Sequence, residues 1–475
     1  MKRLAAWTTL EAILGCAVIA MLSSYAYYFL LLPQSWSLRD DYLFVTSWGA
    51  PGANPWQLGR DYLAGIMSTG RFQPVDVLSR VLHYGYYPVT PRAFHFSLFA
   101  RACCALVATV AFLDALKLDR ARILLALALL LVSQSFKEWL TTATVSETWA
   151  TVFFVASLAL YARGRRWLAL PAFALSFCSK ESFFVLCAAF PLLELGLAGS
   201  ARLRQPSRWR RYAPSLASVA LAAAFVVFIK TLPAKYTASL SLAKLLHAAP
   251  VLKSFVLPPV KSFGPALLLV CLGLPTSAAA LSRQERALAY VGLYVVVVFT
   301  LFINAWGPFD AWFYLHLVIP FGWAFFLAAL WRPRGGVFET LMALAFFAFS
   351  TVASTNGARN FHNYLAFAKT AAEAVCDDAA AMPALRAYTN CAEGGDQLTA
   401  YLRLPPERGG PSSGACARTP EIRYVGAGGT VPAEAARAPS DLVLSSRCDP
   451  FDQASLPKAA RRLTFDAWTL VKIRQ

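Results

Sequence analysis

The sequence predicts an all-α polytopic membrane protein of about eleven transmembrane helices, ending in a small C-terminal extracytoplasmic α/β domain. Three observations carry this. Of the 475 residues, 57% are hydrophobic and only 15% charged, where a soluble globular chain carries about a quarter charged residues. The Lys and Arg residues behind the net charge of +18 gather in short clusters between apolar segments, as the positive-inside rule expects. Four of the ten cysteines, Cys376, Cys391, Cys416 and Cys448, lie in a polar C-terminal region, which points to disulfides and an oxidising compartment. The clustering also explains the basic charge by topology, with no nucleic-acid partner required.

The candidate spans are the apolar segments 10–32, 94–116, 121–136, 144–162, 167–179, 182–198, 213–231, 263–282, 287–304, 311–331 and 336–354. Leu10 to Leu32 is long enough to cross a bilayer and lacks a small-residue cleavage site, so it reads as a first helix and not as a cleaved leader. Segments 167–179 and 182–198 are short enough to be one broken helix, and loop charge decides between the two arrangements. With Lys2 and Arg3 in the cytoplasm, the successive cytoplasmic loops hold Lys117/Arg120/Arg122, Arg163/Arg165/Arg166, Arg202/Arg204/Arg208/Arg210/Arg211, Arg283/Arg286 and Arg332/Arg334. That alternation works only if the two short segments cross separately. An odd number of crossings then puts the four-cysteine tail outside, periplasmic if the membrane is a bacterial-type inner membrane.

The first external loop, 33–93, is too long for a plain connection. Within it Trp56 to Met67 and Phe72 to Leu82 have apolar residues at helical spacing, with Arg60, Asp61, Arg71, Asp76 and Arg80 interleaved. This predicts interfacial amphipathic helices lying on the outer leaflet. A second external loop, 232–262, is rich in Lys and Pro and reads as a lid or an irregular connection. The transmembrane unit is 1–354. From 355 to 475 the composition is that of soluble chain, with a helix over 361–380, a short helix over 396–402 and strands near 386–389, 421–425, 441–445 and 464–473. No internal repeat is visible, which weighs against the repeat-built secondary transporters.

Four cysteines allow three connectivities; nearest-neighbour pairing, Cys376 with Cys391 and Cys416 with Cys448, closes the shortest loops within one domain. The other six lie in apolar segments, where Cys behaves as a small hydrophobe. Neither Cys nor His spacing suggests a structural metal.

The chemistry is expected around Ser37 to Phe44, where Arg39-Asp40-Asp41-Tyr42 follows directly on the first apolar segment. Charge where a helix leaves the bilayer must be solvated, paired or given a task; taken alone, the pair also fits ordinary interfacial charges. Sugar transfer from a lipid phosphate needs a carboxylate to activate the acceptor hydroxyl or hold a divalent cation, and cations to stabilise the departing phosphate. Asp40 and Asp41 supply the carboxylate, and Arg39, Arg71 and Lys180 are the candidate phosphate partners; all face outward in this topology. Lys180-Glu181 is either a self-satisfied snorkelling pair or a phosphate contact. Glu147, Glu181, Arg101 and Asp310 are candidates for lining or supporting a cavity.

These features together resemble the glycosyltransferase C superfamily. The nearest likeness is to the branch of protein O-mannosyltransferases, aminoarabinose transferases and related bacterial enzymes. Four stretches carry it: Arg39-Asp40-Asp41-Tyr42, Gly70-Arg71-Phe72-Gln73-Pro74, Val145-Ser146-Glu147-Thr148 and Ser179-Lys180-Glu181-Ser182. The resemblance implies a first-loop catalytic aspartate, which maps onto Asp40 or Asp41, and a polyprenyl-phosphate sugar as donor. It also implies a glycolipid, polysaccharide or protein hydroxyl as acceptor. The Trp-Trp-Asp signature of the oligosaccharyltransferase branch is missing. The rival readings are a transporter or flippase of lipid-linked saccharide and a non-catalytic membrane scaffold.

Overall fold

The computed structural model describes residues 7–32, 48, 52–86, 90–141, 146–198, 209–233, 259–275, 277, 280–306 and 318–381, and five strands beyond them. The chain is an α-helical, multi-pass membrane protein. Among the described residues six helices are long and apolar enough to cross a membrane by length and composition: Thr9–Leu31, Pro91–Ala115, Glu181–Ala198, Tyr212–Thr231, Arg283–Phe302 and Val337–Asn363. Glu147–Ala162 and Ile319–Leu330 are shorter apolar helices.

Each start and stop has a local cause. Helix α1 (Thr9–Ala26) opens with a capping box between Thr8 and Glu11 and runs into a π-helical turn, Tyr27–Leu31. Helices α2 (Pro55–Met67), capped by Asn54, and α3 (Pro74–Tyr86) occupy the long first loop. Helix α4 (Pro91–Ala115) begins with Thr90 as cap and Pro91 at its first position. The span expected over 121–136 is instead two helices, α5 (Arg120–Val132) and α6 (Gln134–Thr141). They part at Ser133, whose extended backbone breaks the helix and whose hydroxyl donates back to the Leu130 carbonyl. Then follow α7 (Glu147–Ala162), α8 (Arg166–Ser179), a 3₁₀ segment (Glu181–Ala188) and α9 (Ala189–Ala198). The bundle is completed by α10 (Trp209–Thr231), α11 (Pro265–Leu272), α12 (Arg283–Trp306), α13 (Ile319–Leu330) and α14 (Val337–Ala381).

Side-chain contacts sort the helix ends into two groups. Arg120 lies over the Trp7 ring at 5.2 Å, Arg163 pairs with Asp114 at 3.8 Å, and Glu285 binds both Arg122, at 2.5 Å, and Arg332, at 3.0 Å. The basic segments around residues 120, 163, 283 and 332 therefore share one end of the bundle. At the opposite end His95 Nδ1 lies 3.0 Å from the Leu140 carbonyl, the Phe29 ring lies tilted 5.9 Å from His95, and Tyr28 lies 6.1 Å from His362.

Residues 167–198 do not form one continuous rod, because Arg166 pairs with Glu194 at 2.9 Å. A continuous rod would hold two residues 28 positions apart at about 42 Å. The chain instead reverses at Lys180, whose extended backbone separates α8 from the 3₁₀ segment. The reversal before it, between α7 and α8, is closed by Gly164 at φ +82°. The Gly164 amide bonds the Tyr161 carbonyl and the Arg165 amide the Leu160 carbonyl, the pattern that satisfies the last carbonyls of a helix. Between α12 and α13, a Cβ on Gly292 would meet the Gly322 carbonyl oxygen at 2.6 Å, so these two helices cross at backbone contact.

Helix α14 is 45 residues long, about 67 Å. It joins the last expected span and the helix expected from 361 into one rod, so the composition boundary at 354 falls inside a continuous helix. Beyond it, β1 (Arg386–Thr389), β2 (Glu421–Tyr424), β3 (Leu442–Ser445), β4 (Arg461–Phe465) and β5 (Trp468–Lys472) form a mixed sheet of order β2-β1-β3-β5-β4. Strand β1 pairs in parallel with β2 and β3, while β5 runs antiparallel to β3 and β4. Cys376 of α14 is buried and disulfide-bonded; Cys391, Cys416 and Cys448 lie outside the described residues. Cys16, Cys103, Cys104, Cys178, Cys187 and Cys271 are free thiols.

Candidate functional site

Three of the four stretches that carry the family likeness converge at the end of the bundle away from the basic segments. Arg71, between α2 and α3, donates from Nε to Glu181 Oε1 at 2.9 Å, and Gln73 Nε2 donates to the other oxygen of the same carboxylate. One residue earlier in the chain, Lys180 Nζ pairs with Glu147 Oε1 at 3.0 Å. Glu147 opens α7, where the positive end of the helix dipole favours a carboxylate. Its second oxygen is 3.4 Å from the Ser146 hydroxyl. Among the described residues two cations and two carboxylates thus form a balanced quartet on the chain reversal at Lys180.

The four members are not equivalent. Lys180 and Glu147 are both buried, with side chains 11% and 7% exposed, whereas the Arg71 side chain is 38% exposed. Burial works against the Arg71 charge, but Glu181 beside it and Glu147 beyond hold the guanidinium above its ordinary value. Glu181 engages only Nε among the described residues. The guanidinium is held through Nε, and among the described residues its terminal nitrogens make no hydrogen bond.

Helix α3 forms a strap across this end. Gln73, Asp76, Arg80 and His83, spaced three, four and three residues apart, are all buried, while Leu78 and Leu82 on the other face are exposed. Arg80 pairs with Asp76 at 2.8 Å and lies over the Tyr62 ring of α2 at 5.7 Å. Ser79 accepts the indole proton of Trp149 on α7 at 2.8 Å. His83 packs edge-on to Phe94 of α4 at 4.5 Å; burial, with Arg101 adding repulsion, pushes its imidazole down to about 3. A helix is present where an amphipathic one is expected, and its buried side mixes Gln73, Asp76, Arg80 and His83 with Val77 and Val81.

Arg101 sits inside α4 with its guanidinium 5.6 Å from the centre of the Trp149 ring, two residues along from Glu147. Lys137 of α6 is buried and donates to the Ala353 carbonyl of α14 at 3.3 Å. Arg39, Asp40, Asp41 and Asp310 lie outside the described residues. Asp40 and Asp41 begin eight residues after Leu32, where the first helix ends on this same side of the bundle. Among the described residues no group of three or more His, Cys, Asp or Glu side chains is placed to hold a metal ion.

The opposite end is bound tightly. Glu285 holds Arg122 and Arg332, Glu194 accepts from Arg166 and from the Tyr161 hydroxyl, and Glu339 accepts the amides of Arg334 and Gly335 at 2.7 Å each. Glu194, Glu285 and Glu339 are buried, so parting these elements would strand carboxylates. The chain matches no protein-family model and no curated protein.

Proposed function

We propose that this chain is an integral membrane glycosyltransferase that takes a sugar from a polyprenyl-phosphate donor and passes it to a hydroxyl of a glycolipid, polysaccharide or protein. It works on the outer face of a bacterial-type inner membrane, with eleven crossings, a cytoplasmic N-terminus and an extracytoplasmic C-terminal domain. One observation carries the reading: stretches around Arg71, Glu147 and Lys180, far apart in sequence, meet at the end of the bundle opposite the basic segments. There they offer one oriented, part-exposed guanidinium to an anion. The bound disulfide at Cys376 supports placing that end outside.

In this reaction Asp40 or Asp41 takes the proton of the acceptor hydroxyl, alone or with a divalent cation, as the new bond to the anomeric carbon forms. The bond from that carbon to the phosphate oxygen breaks, and the phosphate leaves with the electron pair toward the Arg71 terminal nitrogens. Direct displacement inverts the anomeric centre. A transporter is the weaker reading, because alternating access would have to open the end closed by Glu194, Glu285 and Glu339. The test is transfer from a radiolabelled polyprenyl-phosphate sugar in membranes holding equal amounts of each variant. Replacing the critical aspartate by Asn should lower turnover by about 10²-fold or more. Near-normal turnover in Asp40→Asn, Asp41→Asn and the double variant would remove the aspartates from the chemistry.

A further inference from the structure

The connector between α13 and α14 presents two arginines from a fixed frame. Glu339, in the first turn of α14, accepts the amides of Arg334 and Gly335 at 2.7 Å each and the Trp331 indole proton at 3.1 Å. The Arg332 amide donates to the Gly273 carbonyl at 3.0 Å, and a Cβ on Gly273 would meet the Trp331 ring at 2.3 Å, so the connector lies against the end of α11. From this frame the Arg332 side chain reaches Glu285 of α12 and the Ala280 carbonyl just ahead of it, and Arg334 Nη2 donates to the Leu274 carbonyl at 3.2 Å. The ends of α11, α12 and α14 thereby meet around two guanidinium groups.

Charge does not balance at this corner. Glu285 is shared by Arg122 and Arg332, and Glu339 is occupied by N–H groups. Arg283 and Arg286, on either side of Glu285, and Arg334 pair with no carboxylate among the described residues. Directly after the arginines, Gly335 and Gly336 have open space where a Cβ would stand. Val337 and Phe338 follow, 76% and 75% exposed, the most exposed large apolar side chains among the described residues, and Leu341 and Leu344 continue that exposed face along α14. The α14 N-terminus adds the positive end of its helix dipole. Unmatched cations therefore border an apolar face that starts in the very next turn.

We propose that this corner binds an anionic phospholipid of the leaflet at the basic end, with the headgroup phosphate on Arg334 and an acyl chain along Phe338 and Leu341. The occupant is a lipid because the two surfaces adjoin: a free anion meets only the cations, whereas a phospholipid meets cations and apolar face together. The frame that fixes Arg332 and Arg334 also lowers the ordering cost of binding. Bound there, the lipid ties α11, α12 and α14 together at the end of the bundle away from Arg71, so the inference stands apart from the transferase reading.

The test is thermal unfolding of the full-length protein in neutral detergent, titrated with dioleoyl phosphatidylglycerol, dioleoyl phosphatidylcholine or glycerol 3-phosphate. Phosphatidylglycerol should raise the melting temperature saturably, and the other two should not. Arg334→Gln should leave the melting temperature without added lipid unchanged, since its guanidinium holds one carbonyl. It should raise the half-saturating fraction of phosphatidylglycerol about fivefold, which is about 1 kcal/mol. Arg163→Gln removes a cation from the same end of the bundle, at the Asp114 pair, and should leave the titration as it is. Equal protection by phosphatidylcholine, protection by glycerol 3-phosphate as strong as by phosphatidylglycerol, or an Arg163→Gln effect equal to that of Arg334→Gln overturns the proposal. So does binding of poly-glutamate that requires Arg334 without any effect of phosphatidylglycerol, which would assign the corner to an acidic protein. On the unaltered protein, phosphatidylglycerol with a photoreactive acyl chain should label peptides containing Phe338 or Leu341, and labelling confined to other peptides overturns the proposal as well.

Discussion

Lys180→Met separates the structural and the chemical duties of the quartet. It removes the ammonium 3.0 Å from Glu147 and leaves a carboxylate 7% exposed, with the Ser146 hydroxyl 3.4 Å away. At an effective dielectric of about 20 the lost attraction is roughly 5.5 kcal/mol, from 332/(20 × 3.0). Part of that attraction offsets desolvation in the native protein. Removing one partner of a buried pair costs about 3–5 kcal/mol, because the survivor stays buried without compensation. Lys180→Met and Glu147→Gln should each lower the melting temperature of the detergent-solubilised protein by several degrees. The double variant Lys180→Met/Glu147→Gln, which leaves no orphaned charge, should recover most of the loss, with a coupling energy near 3 kcal/mol. Donor KM separates the two duties. If Lys180 touches the phosphate, KM stays raised in the stable double variant; if it only holds Glu147, KM returns with stability. Thermal losses that simply add, or a Lys180→Met protein as stable as the parent, would refute the reasoning that the pair acts as a unit.

Three further outcomes are expected. Gly164→Ala meets no neighbour within 4 Å, so its cost should be the backbone strain of φ +82° alone, about 1–2 kcal/mol by thermal or chemical unfolding; a neutral substitution would contradict the helix-end geometry. His83 is held neutral in the fold, down to about 3 against 6.5 when free, so the unfolded chain takes up the extra proton between those values. Its contribution to stability is complete above pH 6.5 and falls by about 1.4 kcal/mol per pH unit below it; His83→Gln should remove this part of the acid slope, and an unchanged slope would assign it to other groups. A thiol introduced as Arg165→Cys, with the six free cysteines replaced, should be labelled from the cytoplasmic side while a C-terminal reporter is active outside; both on one side would remove a crossing.

The helices were legible because a bilayer demands long apolar runs, and the reversal at Lys180 was legible because basic loops alternate around it. The continuity of α14 was not. A change from apolar to polar composition at 354 records a change of surrounding medium, and a helix can pass through such a change unbroken. The break at Ser133 was hidden by the apolar residues on both sides of it.

The convergence of Arg71, Glu147, Lys180 and Glu181 could be guessed only from the likeness, since Arg71 and Glu181 are 110 residues apart and nothing local pairs them. Gln73 carries no sequence signal for its part in the site, which is to complete the Glu181 carboxylate. The buried stripe of Gln73, Asp76, Arg80 and His83 was visible as a three-four-three spacing. Its direction was not visible, because amphipathic periodicity says that two faces differ without saying which medium each one meets. Here Leu78 and Leu82 are exposed, while Val77 and Val81 are buried together with Asp76, Arg80 and His83, and Ser79 and His83 reach Trp149 and Phe94.

The burial of these polar side chains accounts for the balance of charge at the site. A polar strap closed over an apolar bundle can hold ionic groups only if each is matched, and the quartet meets this condition with two cations and two carboxylates. A fully matched set has little net field with which to draw in an anion. On the transferase reading, recognition then rests on Arg71, whose Nε is held by Glu181 while the side chain stays partly exposed. Glu181 therefore weakens the pull of Arg71 on a phosphate at long range and sharpens it at hydrogen-bond distance. On the proposed transferase reading, such a site favours a lipid phosphate that arrives within the membrane plane, already concentrated at the interface, over a free anion gathered from bulk water.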